Sequence, residues 1–184
     1  MKQCTGCGST VEPVLTFGRM PIANGFLTEK DFSSEYFFDL SVGFCPGCAL
    51  VQLMEIVEPE KLFHENYAYF ASTSKGMVEH FREFAAQAQN WLPDPKDPFL
   101  VELGSNDGIL LRNFAENGLR HLGVEPSANV ANEAIRNGID TMCSFFDRDT
   151  AARILEDRGP ADAVMGANVF SHIPDIHSVF SGIE

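Results

Sequence analysis

From Phe99 onward, short apolar runs alternate with segments whose apolar residues recur at helical spacing. This pattern predicts strands over 99–103, 121–125 and 161–167, with a further strand inside 139–146 and helices between them. A strict alternation of strands and helices is typical of a parallel sheet with right-handed crossovers. The pattern therefore predicts an α/β, Rossmann-like fold for this part of the chain.

Polar residues and glycines mark where the predicted helices begin and end. The first of these helices is expected to begin directly after the turn at Gly104 and to stop at Gly118. Ser127 is expected to cap the next helix, and Asp147 or Asp149 the one after it.

An earlier helix is predicted after Ser72 or Ser74, either of which is placed to cap it. Its apolar residues fall on one face at helical spacing, and they are Val78, Phe81, Ala85, Ala88 and Leu92. Pro93, Pro95 and Pro98 then predict a stiff link into the first strand of the sheet.

The first part of the chain has a period of two instead. Over 36–44 every second residue is apolar, and the residues between them are Phe37, Asp39, Ser41 and Gly43. This alternation predicts a strand with one apolar face. A return strand is predicted over 50–54, so Cys45 and Cys48 are expected at the tip of a hairpin. The segment from Gly18 to Leu27 is predicted to be rich in turns.

Two Cys-x-x-Cys pairs, Cys4 with Cys7 and Cys45 with Cys48, are the strongest chemical signal. Two thiolates on one metal require a tight turn with glycine in or beside it, and both pairs have this. Redox-active pairs and inert buried thiols are the alternatives. A structural zinc is favoured, and four cysteines leave no position for catalytic water. The fifth cysteine, Cys143, is expected to be a packed core thiol.

Composition narrows the class of protein. The 184 residues carry a net charge of −13, which argues against nucleic acid or an anionic membrane as a partner. No stretch has the apolar length of a membrane span, and the first residues do not resemble a signal peptide. A cytoplasmic location is therefore expected, where disulfides are not the default state of cysteine.

The turn after the first predicted strand favours S-adenosylmethionine as its ligand. The second and third glycines of a dinucleotide motif are replaced by Asn106 and Ile109, and Asp107 would repel a pyrophosphate. A cationic cofactor without phosphate suits an acidic turn, and Glu125 ends the second strand where it can accept hydrogen bonds from two ribose hydroxyls. The alternative is a glycine turn in another α/β domain. His172 follows the fourth strand, and it is expected at the same edge of the sheet. A functional role and a purely structural role are both open for this histidine.

With these features the chain resembles the sugar C-methyltransferases that act on nucleotide-linked 3-keto deoxysugars. The resemblance covers nearly all 184 residues. It rests on the cysteine pairs and on the segments Met-Pro-Ile-Ala-Asn-Gly-Phe-Leu, Tyr-x-Tyr-Phe-x-Ser-x-Ser, Glu-x-Gly-Ser-Asn-Asp-Gly, Gly-Val-Glu-Pro-Ser and Gly-Ala-Asn-Val-x-x-His-Ile-Pro-Asp. It implies a small zinc-binding β domain over 1–64, followed over 65–184 by the first four strands of a class I methyltransferase sheet.

The resemblance also implies roles for individual residues. It places at S-adenosylmethionine the residues Glu102, Gly104, Asn106, Asp107, Glu125 and Asn168. It implies that Tyr67, Tyr69 and His172 contact a nucleotide-linked sugar substrate and take part in catalysis. The expected reaction is methylation of carbon in a keto-deoxysugar through an enolate.

The family has about three further strands and a downstream Glu-His pair, so this chain is expected to be a fragment that is inactive alone. The fourth strand would then present an exposed edge, through which self-association is expected. The alternative function is a zinc-dependent binding or scaffold module that keeps a vestigial cofactor fold.

Overall fold

The computed structural model describes residues 1–23, 25–92 and 97–184, which form two compact units. The first unit contains residues 1–62 and 173–177, and the second contains residues 63–172 and 178–184. Asn24 of the predicted turn-rich segment and the predicted link prolines Pro93 and Pro95 lie outside the described residues.

The first unit is built on a three-stranded antiparallel sheet. Its strands are β1 (Glu12–Pro21), β2 (Phe37–Phe44) and β3 (Val51–Leu53), and they are paired in that order. A short α-helix, α1, spans Pro59–Leu62, and a 3₁₀ helix spans Glu29–Ser34. The hairpin predicted around the second cysteine pair is confirmed, because Val42 pairs with Leu53 and Phe44 with Val51.

Strand β1 was not predicted, and the expectation of turns after Gly18 is wrong for 18–21. The strand pairs with β2 from Glu12 opposite Phe44 to Pro21 opposite Phe37, with two irregularities in register. Such bulges break the period-two pattern from which strands are recognised. Proline is tolerated in this strand because it lies at the edge of the sheet.

The second unit is built on a parallel sheet in the order β6-β5-β4-β7. The strands are β4 (Phe99–Leu103), β5 (Arg120–Val124), β6 (Thr141–Met142) and β7 (Ala163–Gly166). All five residues of β4 are buried, as expected for a central strand with a partner on each side. The predicted fold class, a parallel α/β sheet preceded by a small antiparallel sheet with clustered cysteines, is confirmed.

Helices connect or flank these strands. They are α2 (Lys75–Ala88), α3 (Arg112–Ala115), α4 (Ala128–Arg136), α5 (Arg148–Arg158) and α6 (Ile176–Ile183). The Ser74 side chain caps α2 by accepting from the Met77 N–H, and Asp147 caps α5 by accepting from Thr150. Ser127 does precede α4, but its side chain makes no capping hydrogen bond, so that part of the prediction is wrong.

The helix predicted directly after β4 is mostly absent. Residues 106–111 form turns and a bend, and α3 occupies only Arg112–Ala115. Within this stretch Ile109, Leu110 and Leu111 are almost completely buried, and they join Phe114 in the core. Burial of three successive side chains favours an irregular path, because one face of a regular helix cannot bury them all. Gly118 ends the segment in the predicted left-handed conformation, at φ 70°.

Cys143 is exposed, so its prediction as a core thiol is wrong. It follows the two-residue strand β6, where the chain has already left the sheet. Among the described residues, no helix is long and apolar enough to cross a membrane.

Candidate functional site

The four paired cysteines converge on one point in the first unit. The Sγ atoms of Cys4, Cys7, Cys45 and Cys48 all lie within 4.8 Å of one another. Cys4 and Cys48 are 3.6 Å apart at sulfur, and Cys7 and Cys45 are 3.5 Å apart. Four sulfurs that bind zinc at about 2.3 Å in a tetrahedron lie about 3.8 Å from one another. The donor set therefore fits a tetrahedral zinc with only minor adjustment.

The two cysteine turns have the same backbone geometry. In the first, the Cys4 N–H donates to the Ser9 carbonyl, and the Gly8 N–H donates to the Cys4 carbonyl. In the second, Cys45 donates to Leu50 and Ala49 donates to Cys45 in the same way. Gly8 and Ala49 occupy equivalent left-handed positions, with φ of 75° and 62°. Each turn thus presents its two thiols from a rigid loop.

Neighbouring groups give the thiols different proton affinities. Hydrogen bonding from the side chain and backbone of Ser9 lowers the pKa of Cys7 to about 6. At Cys48 the Leu50 N–H favours the thiolate, but hydrogen bonding with Cys7 and Cys4 and burial outweigh it and raise the pKa to about 12. Four thiols this close resist simultaneous ionisation unless a cation compensates the charge. This electrostatic arrangement is the one that a divalent metal stabilises.

A second candidate site lies in the second unit, at the carboxyl ends of β4 and β5. The chain turns sharply at Gly104, whose φ is 61°. A side chain there would meet Val169, since a Cβ atom would lie 2.4 Å from the valine Cγ2. Glycine is therefore required by both conformation and space. The turn brings backbone close to whatever occupies this edge of the sheet.

Glu125 is held in a fixed orientation directly after β5. Its Oε2 accepts from the Asn106 N–H at 3.0 Å, and its Oε1 accepts from the Ser127 N–H at 2.8 Å. The side chain is buried, and burial raises its pKa although both N–H groups favour the carboxylate. Each carboxylate oxygen has a second lone pair, so the oriented group can still accept hydrogen bonds from a ligand.

Glu102 and Asp107 add two further buried acids beside Glu125. Burial, followed by the charges of Glu125 and Asp107, raises the pKa of Glu102 well above its usual range. Glu102 Oε2 and Asp107 Oδ1 are buried without a hydrogen-bond partner. No ion pair within the described ranges involves any of the three acids. Uncompensated buried acids are expensive, so the cluster fits a ligand that brings positive charge or hydrogen-bond donors.

The side chains of Asn106 and Asp107 also hold the preceding segment. Asn106 accepts from the Ala71 N–H at 2.8 Å and donates to the Tyr69 carbonyl at 3.1 Å. Asp107 accepts from both the N–H and the hydroxyl of Ser72. Two residues predicted to bind cofactor therefore have structural partners, which the sequence did not indicate.

Tyr67 and His172 are brought together by Phe63, a residue that the sequence did not single out. The Phe63 ring lies 5.5 Å from that of Tyr67 and 6.0 Å from that of His172, between centroids. His172 ends the 3₁₀ helix Phe170–His172 and is exposed. Tyr69 is 47% exposed, and neither of these two aromatic contacts involves it. The predicted acceptor residues thus include one aromatic cluster and one separate tyrosine.

Asn168 follows β7 with a left-handed φ of 56°, and its side chain is exposed. Asparagine is among the few residues that adopt this conformation readily. Its place at the carboxyl end of β7 agrees with the edge at which a ligand was predicted.

A cavity of about 460 Å³ opens on another side of Asp107. Its lining includes Arg112, Glu116, Gly138 and Ile139, but not Glu125, Gly104 or Asn168. The cavity therefore shares Asp107 with the predicted cofactor residues and does not include the other three.

Two family models match the chain. One, described as "Putative zinc binding domain", matches residues 4–63, and the other, described as "Methyltransferase domain", matches residues 75–183. The second match covers more than half of the chain, so the protein belongs to the methyltransferase domain family. The order of the two matches is the order in which the sequence predicted a zinc-binding part and a cofactor-binding part.

The chain is similar to one particular enzyme, the C-methyltransferase NovU of Streptomyces niveus. The two are 34% identical over an alignment of 184 positions, which covers 99% of this chain and 44% of NovU. The chain thus spans less than half the length of that relative. The resemblance to the C-methyltransferases found from the sequence motifs is confirmed.

Likenesses to solved structures are weaker. A magnesium protoporphyrin IX methyltransferase from Synechocystis PCC 6803 with bound SAH has a TM-score of 0.44 at 17% identity, covering 59% of this chain and 50% of that one. The plantazolicin methyltransferase BamL has a TM-score of 0.43 at 13% identity, covering 58% and 39%.

Proposed function

We propose that this chain is the zinc-bearing and cofactor-binding part of an S-adenosylmethionine-dependent C-methyltransferase. The observation that carries the proposal is the orientation of the buried Glu125 carboxylate beside the Gly104 turn. A domain boundary near residue 64 separates the two parts in this proposal. Cys4, Cys7, Cys45 and Cys48 hold a structural zinc that takes no part in the reaction.

The residues at the sheet edge fit the cofactor by charge and by space. Glu125 accepts the ribose hydroxyls, and Gly104 makes the sharp turn beside it at a position where Val169 leaves no space for a side chain. Asp107 contributes buried negative charge, which complements the ammonium and sulfonium of the cofactor. Burial raises the pKa of Glu102, and a cationic ligand beside it favours its ionised form. The Asn106 side chain already binds the backbone of Tyr69 and Ala71, and we propose that its backbone carbonyl faces the ligand. Asn168 completes the edge after β7.

The proposed acceptor is a nucleotide-linked keto-deoxysugar. A proton α to a carbonyl is acidic enough for a side-chain base to remove, which leaves carbon as the nucleophile of an enolate. When bound, S-adenosylmethionine supplies an electrophilic methyl group. Tyr67, Tyr69 and His172 line the acceptor side, and the work of the chain is to position the acceptor and to exclude water.

A transfer assay tests this function. The 184-residue chain and the longer relative NovU are compared with methyl-labelled S-adenosylmethionine and a keto-sugar nucleotide. We expect label on carbon only with NovU, and cofactor binding by both proteins. Zinc binding by the 184-residue chain without cofactor binding would contradict the proposal and favour a zinc-dependent binding module.

The remaining partner that we propose is a second copy of the chain, paired along β7. In the part of the chain that the structure describes, β7 pairs with β4 and with no other strand, and Ala163–Gly166 carries no charge. The neighbouring Asp162 accepts from the Phe99 N–H at 2.8 Å, so its carboxylate is turned toward the sheet. An uncharged strand edge favours strand pairing. Sedimentation should show a dimer that Val164→Lys weakens, whereas a monomer at all concentrations would contradict it.

A further inference from the structure

The segment that carries both predicted acceptor tyrosines is held by side chains. Asn106 and Asp107 bind its later residues, from Tyr69 to Ser72. Asn129 binds its beginning, because the Tyr67 N–H donates to Asn129 Oδ1 at 3.2 Å and the Tyr67 carbonyl accepts from Asn129 Nδ2 at 2.8 Å. Asn129 has not been assigned a role by any motif above.

We propose that Asn129 is a positioning residue that fixes Tyr67 at the cofactor edge, and that a carboxamide is needed there. A backbone N–H can only donate and a carbonyl can only accept, so the side chain that satisfies both must do the opposite at each atom. Among side chains of this length only asparagine has both an amide N–H and a carbonyl oxygen. The two carboxylate oxygens of an aspartate could accept from the Tyr67 N–H, but neither could donate to the Tyr67 carbonyl.

The location of Asn129 connects the two halves of the proposed site. It lies in the first turn of α4, four residues after Glu125, on the same turn that orients the Glu125 carboxylate through the Ser127 N–H. The position of Tyr67 and the position of the ribose acceptor are therefore set by one short, rigid stretch of backbone. Asn106 repeats the pattern from the other turn, after β4, by accepting from Ala71 and donating to Tyr69.

The surroundings of Tyr67 agree with this close placement. Burial raises the pKa of Tyr67, and the charges of Glu125 and Tyr69 raise it further. The Phe63 ring packs against it from the side that also contacts His172. A segment released from Asn129 would lose both the burial and the proximity to Glu125.

This inference rests on the proposed function for the role of Tyr67, but its test does not depend on turnover. Asn129→Ala removes both hydrogen bonds, and Asn132→Ala is the matched control, since Asn132 is exposed on the same helix. The chain has three tyrosines, so ¹³Cζ-tyrosine NMR can follow each phenol through a pH titration. Calorimetry with S-adenosylmethionine and the melting temperature are measured on the same samples.

We expect the Tyr67 pKa to fall toward the ordinary tyrosine value of about 10 in Asn129→Ala and to stay raised in Asn132→Ala. Cofactor affinity should change less than twofold, because the partners of Glu125 are unaffected. An unchanged Tyr67 titration in folded Asn129→Ala would overturn the inference. If wild-type protein binds no cofactor, the proposed function fails, while the Tyr67 titration still decides the role of Asn129.

A second measurement covers the case in which Asn129→Ala does not fold. The Tyr67 amide of the wild-type chain should exchange with deuterium slowly, because its acceptor is Asn129 Oδ1. If the Tyr67 amide of the wild-type chain exchanges at the rate of a free amide, the inference is overturned, and no variant is needed for this result.

Discussion

The two units of this chain are stabilised in different ways. In the first, the buried apolar residues among those described are Cys4, Val11, Cys45 and Val57, and two of them are metal-site cysteines. In the second, buried side chains from β4, the turns after it and α2 form one continuous cluster. Small domains without a sufficient apolar core commonly depend on a metal or a disulfide. The difference indicates that the first unit is stabilised by its metal and the second by burial.

The exposed residues make the same contrast. Every residue of β1 is exposed, including Val14 at 68% and Phe17 at 58%. By comparison, all five residues of β4 are buried. A sheet with so little burial has a small hydrophobic contribution to its stability, which is roughly proportional to the apolar area removed from water.

Removal of zinc is expected to have the largest effect. Apparent binding free energies of structural zinc are on the order of 10 kcal/mol, and binding is coupled to folding. A strong chelator, or Cys45→Ser, should therefore unfold the first unit and leave the second folded. Hydrogen exchange by mass spectrometry would follow both units at once.

The matched control for this prediction is Cys143→Ser, which changes the exposed cysteine outside the cluster and should leave exchange unchanged. Less than one zinc per purified chain, or unfolding of both units together on chelation, would contradict the proposal that zinc stabilises the first unit and burial stabilises the second.

Phe114→Ala should have the opposite effect to zinc removal, destabilising the second unit and leaving the first unit folded. Phe114 is fully buried in the core of the second unit, and such truncations cost about 3–5 kcal/mol. The second unit should lose stability in a urea titration while zinc content stays at one per chain. Phe17→Ala, at a position that is 58% exposed in the first unit, is the control and should cost under about 1 kcal/mol. Equal losses in the two variants would show that the contrast between the units is misjudged.

Glu125→Ala should weaken S-adenosylmethionine binding by about 1.5–3 kcal/mol, because charged hydrogen bonds to ribose are lost. Zinc content should not change. Glu133→Ala is the control, since Glu133 pairs with Arg136 on the surface of α4. Calorimetry on both variants at a temperature where each is folded makes the comparison. Equal affinities would argue against Glu125 as the ribose acceptor.

Ala49→Gly is expected to have the smallest effect, confined to the first unit. Ala49 has a φ of 62°, where an alanine is strained by about 1 kcal/mol, and glycine is not. The variant should therefore bind zinc up to about fivefold more tightly. Gly8→Ala, at the equivalent position of the other turn, should weaken binding by a similar factor. Changes of the same sign in both variants would contradict the equivalence of the two turns.

The sequence predicted those parts of the fold in which local pattern and tertiary position agree. The parallel sheet and the hairpin of the second cysteine pair are of this kind. Of the two capping residues predicted for each helix, Ser74 caps α2 and Asp147 caps α5. Strand β1 was missed because bulges and two prolines hide its period. The helix after β4 was overpredicted, because burial of consecutive residues overrode helical periodicity. Cys143 was misplaced because its exposure depends on where a two-residue strand ends.

The site could be predicted only in part. Gly104 and Glu125 follow from strand-turn spacing, which fixes them to one edge of a parallel sheet. The role of Asn129 could not be predicted, because its partner Tyr67 is distant in sequence and an asparagine early in a helix is common. Phe63 was missed for the same reason, since a single aromatic residue has no local signature.

We propose that the carboxyl edge of the second unit, and no part of the first, binds S-adenosylmethionine. Hydrogen exchange of the zinc-loaded chain with and without the cofactor is the direct test of this site. We expect slower exchange in 104–108 and 123–127 on cofactor addition, with no change in the strands over 37–53. Unchanged exchange at both turns under saturating cofactor, or protection in 37–53 instead, would contradict it.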